Sequence, residues 1–477
     1  MKNDRFKDYD DEVRDNVLEF ENTVLKGDNQ FFDVDQLEII IDYYLETADL
    51  DNLEAAVRYA EHLYPDNNEI RLRRSHLYSA RNQFDKALAI LRQLERVEPD
   101  NTDIDYALGA VYSMMDRPDL AIKYYSRASA DGYELGMVNG NIADEYYKLG
   151  RFDESIRYYK KSIAASPDDE RSLLNLLDTY AEQGQADKSV EYFKKFVTRE
   201  PYSKYGWYCL GEAYCDLGLY ELAIDAFEYA VAIDRTMYDA YLGMADCYEA
   251  AGQTAKAVES LRRAFDYAPQ KEEIHFDIAL VYMRAGNYDT AMIYLKKAEQ
   301  TLRSNPDVAP YFVADLYASL ADCYRAQGEY YLAVQSAAAA LSVTTDPGRI
   351  LRFLGQTHEE YGDSEKADIS YRGAIEHEPD NDDNWLAYID FLLRAGRYDD
   401  AGKQLLQAAA ATDDLYPYNL RYAVLYFRTG RRNFMFAVIT QCIAADPDAG
   451  RHLADLCPDL AADPEVAAFI MPDNNRD

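Results

Sequence analysis

The sequence predicts an all-α solenoid of stacked helix-turn-helix units, and three observations carry that prediction. The chain repeats itself with a 34-residue period along most of its 477 residues. A glycine returns at one fixed place in nine of the units (Gly150, Gly184, Gly218, Gly252, Gly286, Gly328, Gly362, Gly396 and Gly430), where a left-handed residue would end a helix. Between these stops, apolar residues recur at i, i+3, i+4 and i+7, which is helical rather than strand spacing. A length prior of roughly 150 residues per domain would give two to four globular domains, but self-similarity overrides it. No single unit can bury its apolar face alone, so the units must stack.

The segment Gly206–Tyr220, GWYCLGEAYCDLGLY, anchors the register. Its unit carries Trp207, Leu210–Gly211, Tyr214, Gly218, Tyr220, Ala223, Phe227 and Ala230. Steps of 34 place unit starts at 34, 68, 102, 136, 170, 204, 238 and 272; after an eight-residue insertion they resume at 314, 348, 382 and 416. Position 11 is then tyrosine in ten of twelve units, with His358 and Leu392 in the others. Position 20 is Ala87, Ala121, Ala223, Ala257, Ala291, Ala333, Ala367 or Ala401, with Ser155 and Ser189 as near equivalents. Small residues there let the second helix approach the first, while aromatics at positions 4 and 11 fill the seam. Prolines such as Pro65, Pro99, Pro167, Pro201, Pro269, Pro379 and Pro447 stop the second helix, because proline lacks the amide donor.

This unit resembles the tetratricopeptide repeat (TPR): aromatic at 4, Leu-Gly at 7 and 8, Tyr at 11, Gly at 15, Ala at 20, aromatic at 24, Ala at 27 and Pro at 32. The resemblance covers residues 34 to 447. It departs from the pattern in the first unit, with Ala48 for Gly and Leu53 at position 20, and in the last, with Met435 at position 20. The resemblance implies a right-handed superhelix of about 24 repeat helices plus caps. The organisation expected is residues 1–33 as leader and capping helix, 34–305 as repeats one to eight, 306–449 as the insertion and repeats nine to twelve, and 450–477 as a C-terminal cap and tail. Residues 11–26 read as an amphipathic helix with Val13, Val17, Phe20 and Val24 on one side. Pro464–Ile470 reads as a short last helix and Pro472–Asp477 as a disordered tail. The insertion around Thr301–Pro310 reads as either a tolerated loop or a hinge between extended helices.

Composition restricts the partners. A formal charge of −36 repels phosphate backbones and anionic membrane surfaces, so neither nucleic acid nor membrane is expected. No apolar run approaches the roughly 18 to 20 residues needed to cross a bilayer. The start, MKNDRFKDYDDEVRDN, has no secretory character, and the six cysteines contain no Cys-x-x-Cys, so a reducing cytoplasm is expected. Catalysis, cofactor and metal are not expected either. There is no H-E-x-x-H, phosphate loop or nucleophile elbow. His275 and His358 occupy aromatic packing positions, Cys247 and Cys323 share position 10 as small core residues, and Cys209 and Cys215 are badly phased for a shared metal.

The function expected from the resemblance is a protein-interaction scaffold. Some members hold extended peptides on the inner wall, formed by positions 2, 5, 9 and 12 of each first helix. Position 9 reads Asp144, Asp178, Glu212 and Asp246 in repeats four to seven, and nearby inner positions carry Tyr147, Leu174, Tyr205, Tyr208, Leu242 and Phe276. Acid interleaved with aromatics suits a basic segment bearing apolar anchors; a merely solvated acidic face is the competing reading. Towards the C-terminus Arg325, Arg349, Arg352, Arg394, Arg421 and Arg428 fall at or near inner positions, forming a basic patch for a carboxylate, an acidic helix or the acidic wall of a second copy. The Lys/Asn/Arg carboxylate clamp that co-chaperone members spread over three repeats is not intact. An assembly or regulatory subunit of a larger enzyme or secretion complex, docked through its outer surface, is the alternative function.

Overall fold

In each repeat a first helix ends at a left-handed residue and a second begins two residues later. The first helices begin at Val34, Asn68, Thr102, Leu135, Glu170, Lys204, Tyr238, Lys271, Pro310, Pro347, Asp382 and Tyr416, and each is followed by its partner. The computed structural model describes residues 9, 11–28, 30–130, 134–302, 309–410, 412 and 414–470. Among these residues it is an all-α repeat structure of 28 α-helices and one short 3-10 turn, with no strand. The fold class and the repeat register expected from the sequence are therefore both observed.

The stop between the two helices has the same construction throughout. Position 15 takes a positive φ in every repeat: 67° at Gly150, 68° at Gly218 and 70° at Gly430, but also 53° at Ala48, 57° at Asn82 and 53° at Asp116. The reversal brings the next N–H back to the carbonyl of position 11, as in Arg151→Tyr146 (2.9 Å), Leu219→Tyr214 (2.9 Å) and Glu329→Tyr324 (2.8 Å). A Cβ opposes this conformation, which is why glycine prevails there.

Packing within and between repeats rests on small residues facing rings. Ala87, Ala121, Ala223, Ala257, Ala291, Ala333, Ala367 and Ala401 are all fully buried, as are Leu53 and Met435 in the atypical end repeats. A Cβ at Gly211 would lie 2.5 Å from the Phe227 ring, and one at Gly243 in the next repeat 2.6 Å from the same ring. Phe227 thus fills a slot that two glycines open from two repeats. Gly109 meets Tyr125 and Gly355 meets Tyr371 in the same way. Both tryptophans act as braces: Trp207 Nε1 donates to the Pro201 carbonyl at 2.9 Å, and Trp385 Nε1 to that of Pro379 at 2.8 Å.

The chain divides into two compact units, Met1–Ala251 and Gly252–Asp477. In the first, the helix Asp11–Asn22 buries Val17 and Phe20 against Leu37, Ile40 and Tyr44 of the first repeat. In the second, Ala449–Leu456, Pro458–Ala461 and Pro464–Ile470 bury Leu453, Leu460 and Val466 against Met435 and Ile439. Around the insertion, Tyr288–Leu302 and Pro310–Ala326 run to 15 and 17 residues, longer than the 13 or 14 of most repeat helices. The core of the insertion, residues 303–308, and the tail Pro472–Asp477 lie outside the described residues.

Two predictions follow from these local constraints. Ala48→Gly and Asp116→Gly should each raise the unfolding free energy by about 1 kcal/mol, and Gly218→Ala should lower it by a similar amount, in urea titrations followed by circular dichroism. Ser155 and Ser189 bury hydroxyls that have no hydrogen-bond partner among the described residues. Their replacement by the alanine usual at position 20 should therefore stabilise the chain, by about 1 kcal/mol each in the same titration.

Candidate protein-binding surface

The candidate acidic residues of the first unit stand on four successive first helices, Leu135–Lys148, Glu170–Glu182, Lys204–Asp216 and Tyr238–Ala250. Side chains of neighbouring loops fix where two of these begin: Asp169 caps Glu170–Glu182 by accepting from the Ser172 N–H, and Ser203 caps Lys204–Asp216 by accepting from that of Gly206. Glu170–Glu182 packs on Lys204–Asp216, which packs on Tyr238–Ala250, so the same register position lines up from one repeat to the next.

Asp144 is heavily engaged. It accepts from the Tyr159 hydroxyl, from Arg171 Nη1 at 2.9 Å and from Asn175 Nδ2 at 3.1 Å, which joins repeat four to repeat five. Asp144, Tyr147, Lys148, Tyr159, Asn175 and Asp178 line a concavity of about 220 Å³. Tyr147 stands edge-on to Phe152, with ring centroids 5.3 Å apart. Asp178 has no cationic partner among the described residues, and desolvation followed by the charge of Glu182 pushes its carboxyl above the ordinary range.

The next two repeats concentrate negative charge. Burial pushes the Glu212 carboxyl up to about 7; a hydrogen bond from the Tyr208 hydroxyl opposes the shift, while Asp216, Asp246 and Asp239 add to it. Asp216 is raised by desolvation, and Asp239 by desolvation and then by Glu170. Tyr205 donates to Glu170, and its phenol is raised by burial and by that carboxylate. The Tyr208 ring lies 5.8 Å from Phe227. On the helices Glu170–Glu182, Lys204–Asp216 and Tyr238–Ala250 the acids are Glu170, Asp178, Glu182, Glu212, Asp216, Asp239, Asp246 and Glu249. The cations are only Arg171 and Lys204, already paired to Asp144 (2.9 Å) and Asp234 (2.6 Å).

The structure thus brings Asp144, Tyr147 and Asp178 around one concavity and places Tyr208, Glu212 and Asp246 within one electrostatic cluster. Phe276 belongs to the second unit, where its half-buried ring packs edge-on against Phe312 at 5.3 Å. Two members of the cluster escaped the sequence reading. Asp239 stands at position 2, an inner position, and was legible from the register; Asp216 stands at position 13, one helical turn beyond Glu212, and was not.

Of the six candidate arginines in the second unit, all but Arg428 line two concavities, and each of the six holds an acid. Arg325 contacts Asp322 at 3.3 Å and Glu360 at 3.7 Å, Arg349 contacts Asp315 at 2.5 Å, and Arg352 contacts Asp383 at 3.5 Å. Arg394 holds Glu359 at 2.7 Å, Arg421 grips both oxygens of Asp390 at 2.9 and 2.7 Å, and Arg428 holds Asp459 at 2.9 Å. Most of these pairs span 31 to 35 residues, so they tie one repeat to the next. A ligand here would meet neutralised guanidinium groups with spare donors rather than free cations.

Among the described residues no group of three or more potential metal ligands occurs, and no helix is long and apolar enough to cross a membrane. Comparison with known proteins agrees with the repeat. A tetratricopeptide-repeat model matches residues 72–134, 141–205 and 354–419, and a second model of the same description matches 216–263 and 249–316. Among curated proteins, the chain is similar to BBSome complex member bbs-4 of Caenorhabditis elegans, 26% identical over 159 residues, covering 32% of this chain and 33% of that protein. It is also similar to tetratricopeptide repeat protein 8 of the same organism, 27% identical over 161 residues, covering 33% and 30%. The match thus spans about a third of the length of these curated relatives. Similar solved structures include MamA, at 32% identity over 35% of this chain and 98% of that one with a TM-score of 0.31. Another is a tetratricopeptide repeat protein from Parabacteroides merdae, at 17% identity over 54% and 98% with a TM-score of 0.39. With the register, the left-handed stops and the matched models in agreement, the chain belongs to the tetratricopeptide repeat family.

Proposed function

We propose that this protein is a non-catalytic interaction scaffold that holds a basic protein segment against the first helices of repeats five to seven. The carrying observation is the clustering of raised carboxyls there: burial, with Asp216, Asp246 and Asp239, pushes Glu212 up to about 7, and burial with Glu182 raises Asp178. Carboxylates raised by desolvation and mutual repulsion gain most from an arriving lysine or arginine, whose charge relieves both terms. Tyr205, Tyr208 and Leu242 supply flat and apolar surface beside them for a guanidinium or an anchoring side chain. An exposed ion pair contributes only about 0–1 kcal/mol, so affinity must come from several acids acting together with these anchors.

The reading as a subunit docked through its outer surface has its own support. Second helices expose large apolar side chains, including Tyr331, Leu406 and Phe434, at 72%, 70% and 63% exposure. One relative is named as a member of the BBSome complex. Both readings make the chain a protein-binding scaffold, and its six unbonded cysteines suit the cytoplasmic location expected from the sequence.

The test is a panel of Lys/Arg-rich peptides carrying aromatic anchors, titrated against the protein by fluorescence anisotropy. The variant Asp178→Asn/Glu212→Gln/Asp246→Asn should weaken binding by about 10- to 100-fold and flatten its salt dependence, since each decade corresponds to about 1.4 kcal/mol. Asp144 is left intact because its removal would strand Arg171 and loosen the junction of repeats four and five. Unchanged affinity would move the site to the outer surface.

The pH dependence has a definite sign. A cation favours ionised Glu212, which is mostly protonated below its value of about 7. Affinity should therefore rise about tenfold between pH 6 and 8 in the parent protein, and Glu212→Gln should remove most of that rise. Because burial raises this carboxyl above its unfolded value, its contribution to stability is lost as pH rises through about 7. Glu212→Gln should accordingly reduce the fall in urea resistance between pH 5 and 8.

A further inference from the structure

Two thiols meet where repeats six and seven adjoin. Cys215, at position 12 of Lys204–Asp216, lies 2.8 Å, sulfur to sulfur, from Cys247, at position 10 of Tyr238–Ala250. Both are unbonded; Cys247 is buried and Cys215 half-buried, and both belong to the first unit. These two positions touch elsewhere as well, since the Ser113 hydroxyl reaches the Glu145 carboxylate at 2.5 Å across repeats three and four. The same positions carry Ala181 and Ala213 one repeat earlier, and Met283 and Cys323 in repeats eight and nine. In this sequence only the junction of repeats six and seven places a thiol on both sides.

We propose that Cys215 and Cys247 form a dithiol site that closes to an inter-repeat disulfide by exchange with a low-molecular-weight disulfide such as oxidised glutathione. A disulfide needs sulfurs about 2.05 Å apart, so closure requires an approach of roughly 0.8 Å from the present separation. Cys215 Sγ, the more accessible sulfur, attacks one sulfur of the glutathione disulfide; its proton leaves with the departing glutathione thiolate. Cys247 Sγ then attacks Cys215 Sγ in the mixed disulfide, and the second glutathione leaves as its thiol. Two protein thiols and one glutathione disulfide become one protein disulfide and two glutathione thiols.

The surroundings set the rate of this exchange. The hydrogen bond with Cys247, burial, and the charges of Glu212 and Asp246 all hold the Cys215 thiol protonated. Only the thiolate attacks, so exchange is slow at neutral pH and accelerates towards alkaline pH. The bond would close a loop of more than 30 residues and fix the helix Lys204–Asp216 to Tyr238–Ala250, whichever partner the acidic face takes.

The test uses the full chain in a glutathione redox buffer at pH 8.5, with acid quenching, thiol counting and peptide mass spectrometry. The expected result is a fall from six free thiols to four, a Cys215–Cys247 linked peptide, a mass loss of about 2 Da and no retained glutathione. The thermal midpoint of the oxidised chain should rise by about 3 °C or more. Cys247→Ser should retain glutathione on Cys215, while Cys215→Ser should keep its five remaining thiols. Six persistent thiols, glutathione held on Cys215 of the parent chain, or a disulfide between other cysteines would each overturn the proposal.

Discussion

The Phe227 ring sits in a slot opened by two glycines that belong to consecutive repeats, and the structure depends on contacts of this kind. A helix pair of about 34 residues cannot bury its own apolar face, so each repeat is completed by the next. Glycine at position 8 and alanine at position 20 bring backbones close enough for one aromatic ring to serve both neighbours. The left-handed turn at position 15 returns each second helix to the face where those contacts form. The large residues at position 20, Leu53 and Met435, belong to the end repeats, where each is buried in a core shared with a cap.

The same dependence governs charge. Arginines are spent on acids one repeat away, as with Arg394 and Glu359, Arg421 and Asp390, or Arg171 and Asp144. Where such arginines occur, the inner residues are neutralised and the pairs reinforce stacking. At Asp178, Glu212, Asp216 and Asp239 burial raises the carboxyls, and neighbouring acids add to the shift at Asp178, Glu212 and Asp239. That is a poor arrangement for stability and a good one for receiving a cation, which is the physical basis of the proposed function. The dithiol of Cys215 and Cys247 lies in the same stretch, beside Glu212 and Asp246.

What the sequence made legible is whatever the repeat encodes locally. The helix register, the stop at position 15, the buried alanines and the family all follow from residues that recur at fixed spacing. The position-9 acids were legible for the same reason. Their electrostatic state was not, because it depends on burial and on partners in the neighbouring repeat, such as Arg171 for Asp144 and Asp246 for Glu212. Asp144 and Glu212 occupy equivalent positions, yet one is bound by Arg171 and the other is pushed up by burial and then by its acidic neighbours. The arginines of repeats nine to twelve read as a basic patch only while their acids were out of view. Asp322, Asp390 and Glu359 balance them in the folded chain.

The central claim is that burial and neighbouring carboxylates hold Glu212 well above the ordinary range in the free protein. The most direct measurement is a carbon-13 NMR titration of the Glu212 side-chain carboxyl in the full chain, assigned by comparison with Glu212→Gln. The account predicts a midpoint near the value of about 7 given by its buried, acid-surrounded position, moving down when Asp216, Asp239 and Asp246 are replaced by asparagine. A midpoint near the ordinary glutamate value of about 4.3, unmoved by those replacements, would contradict it.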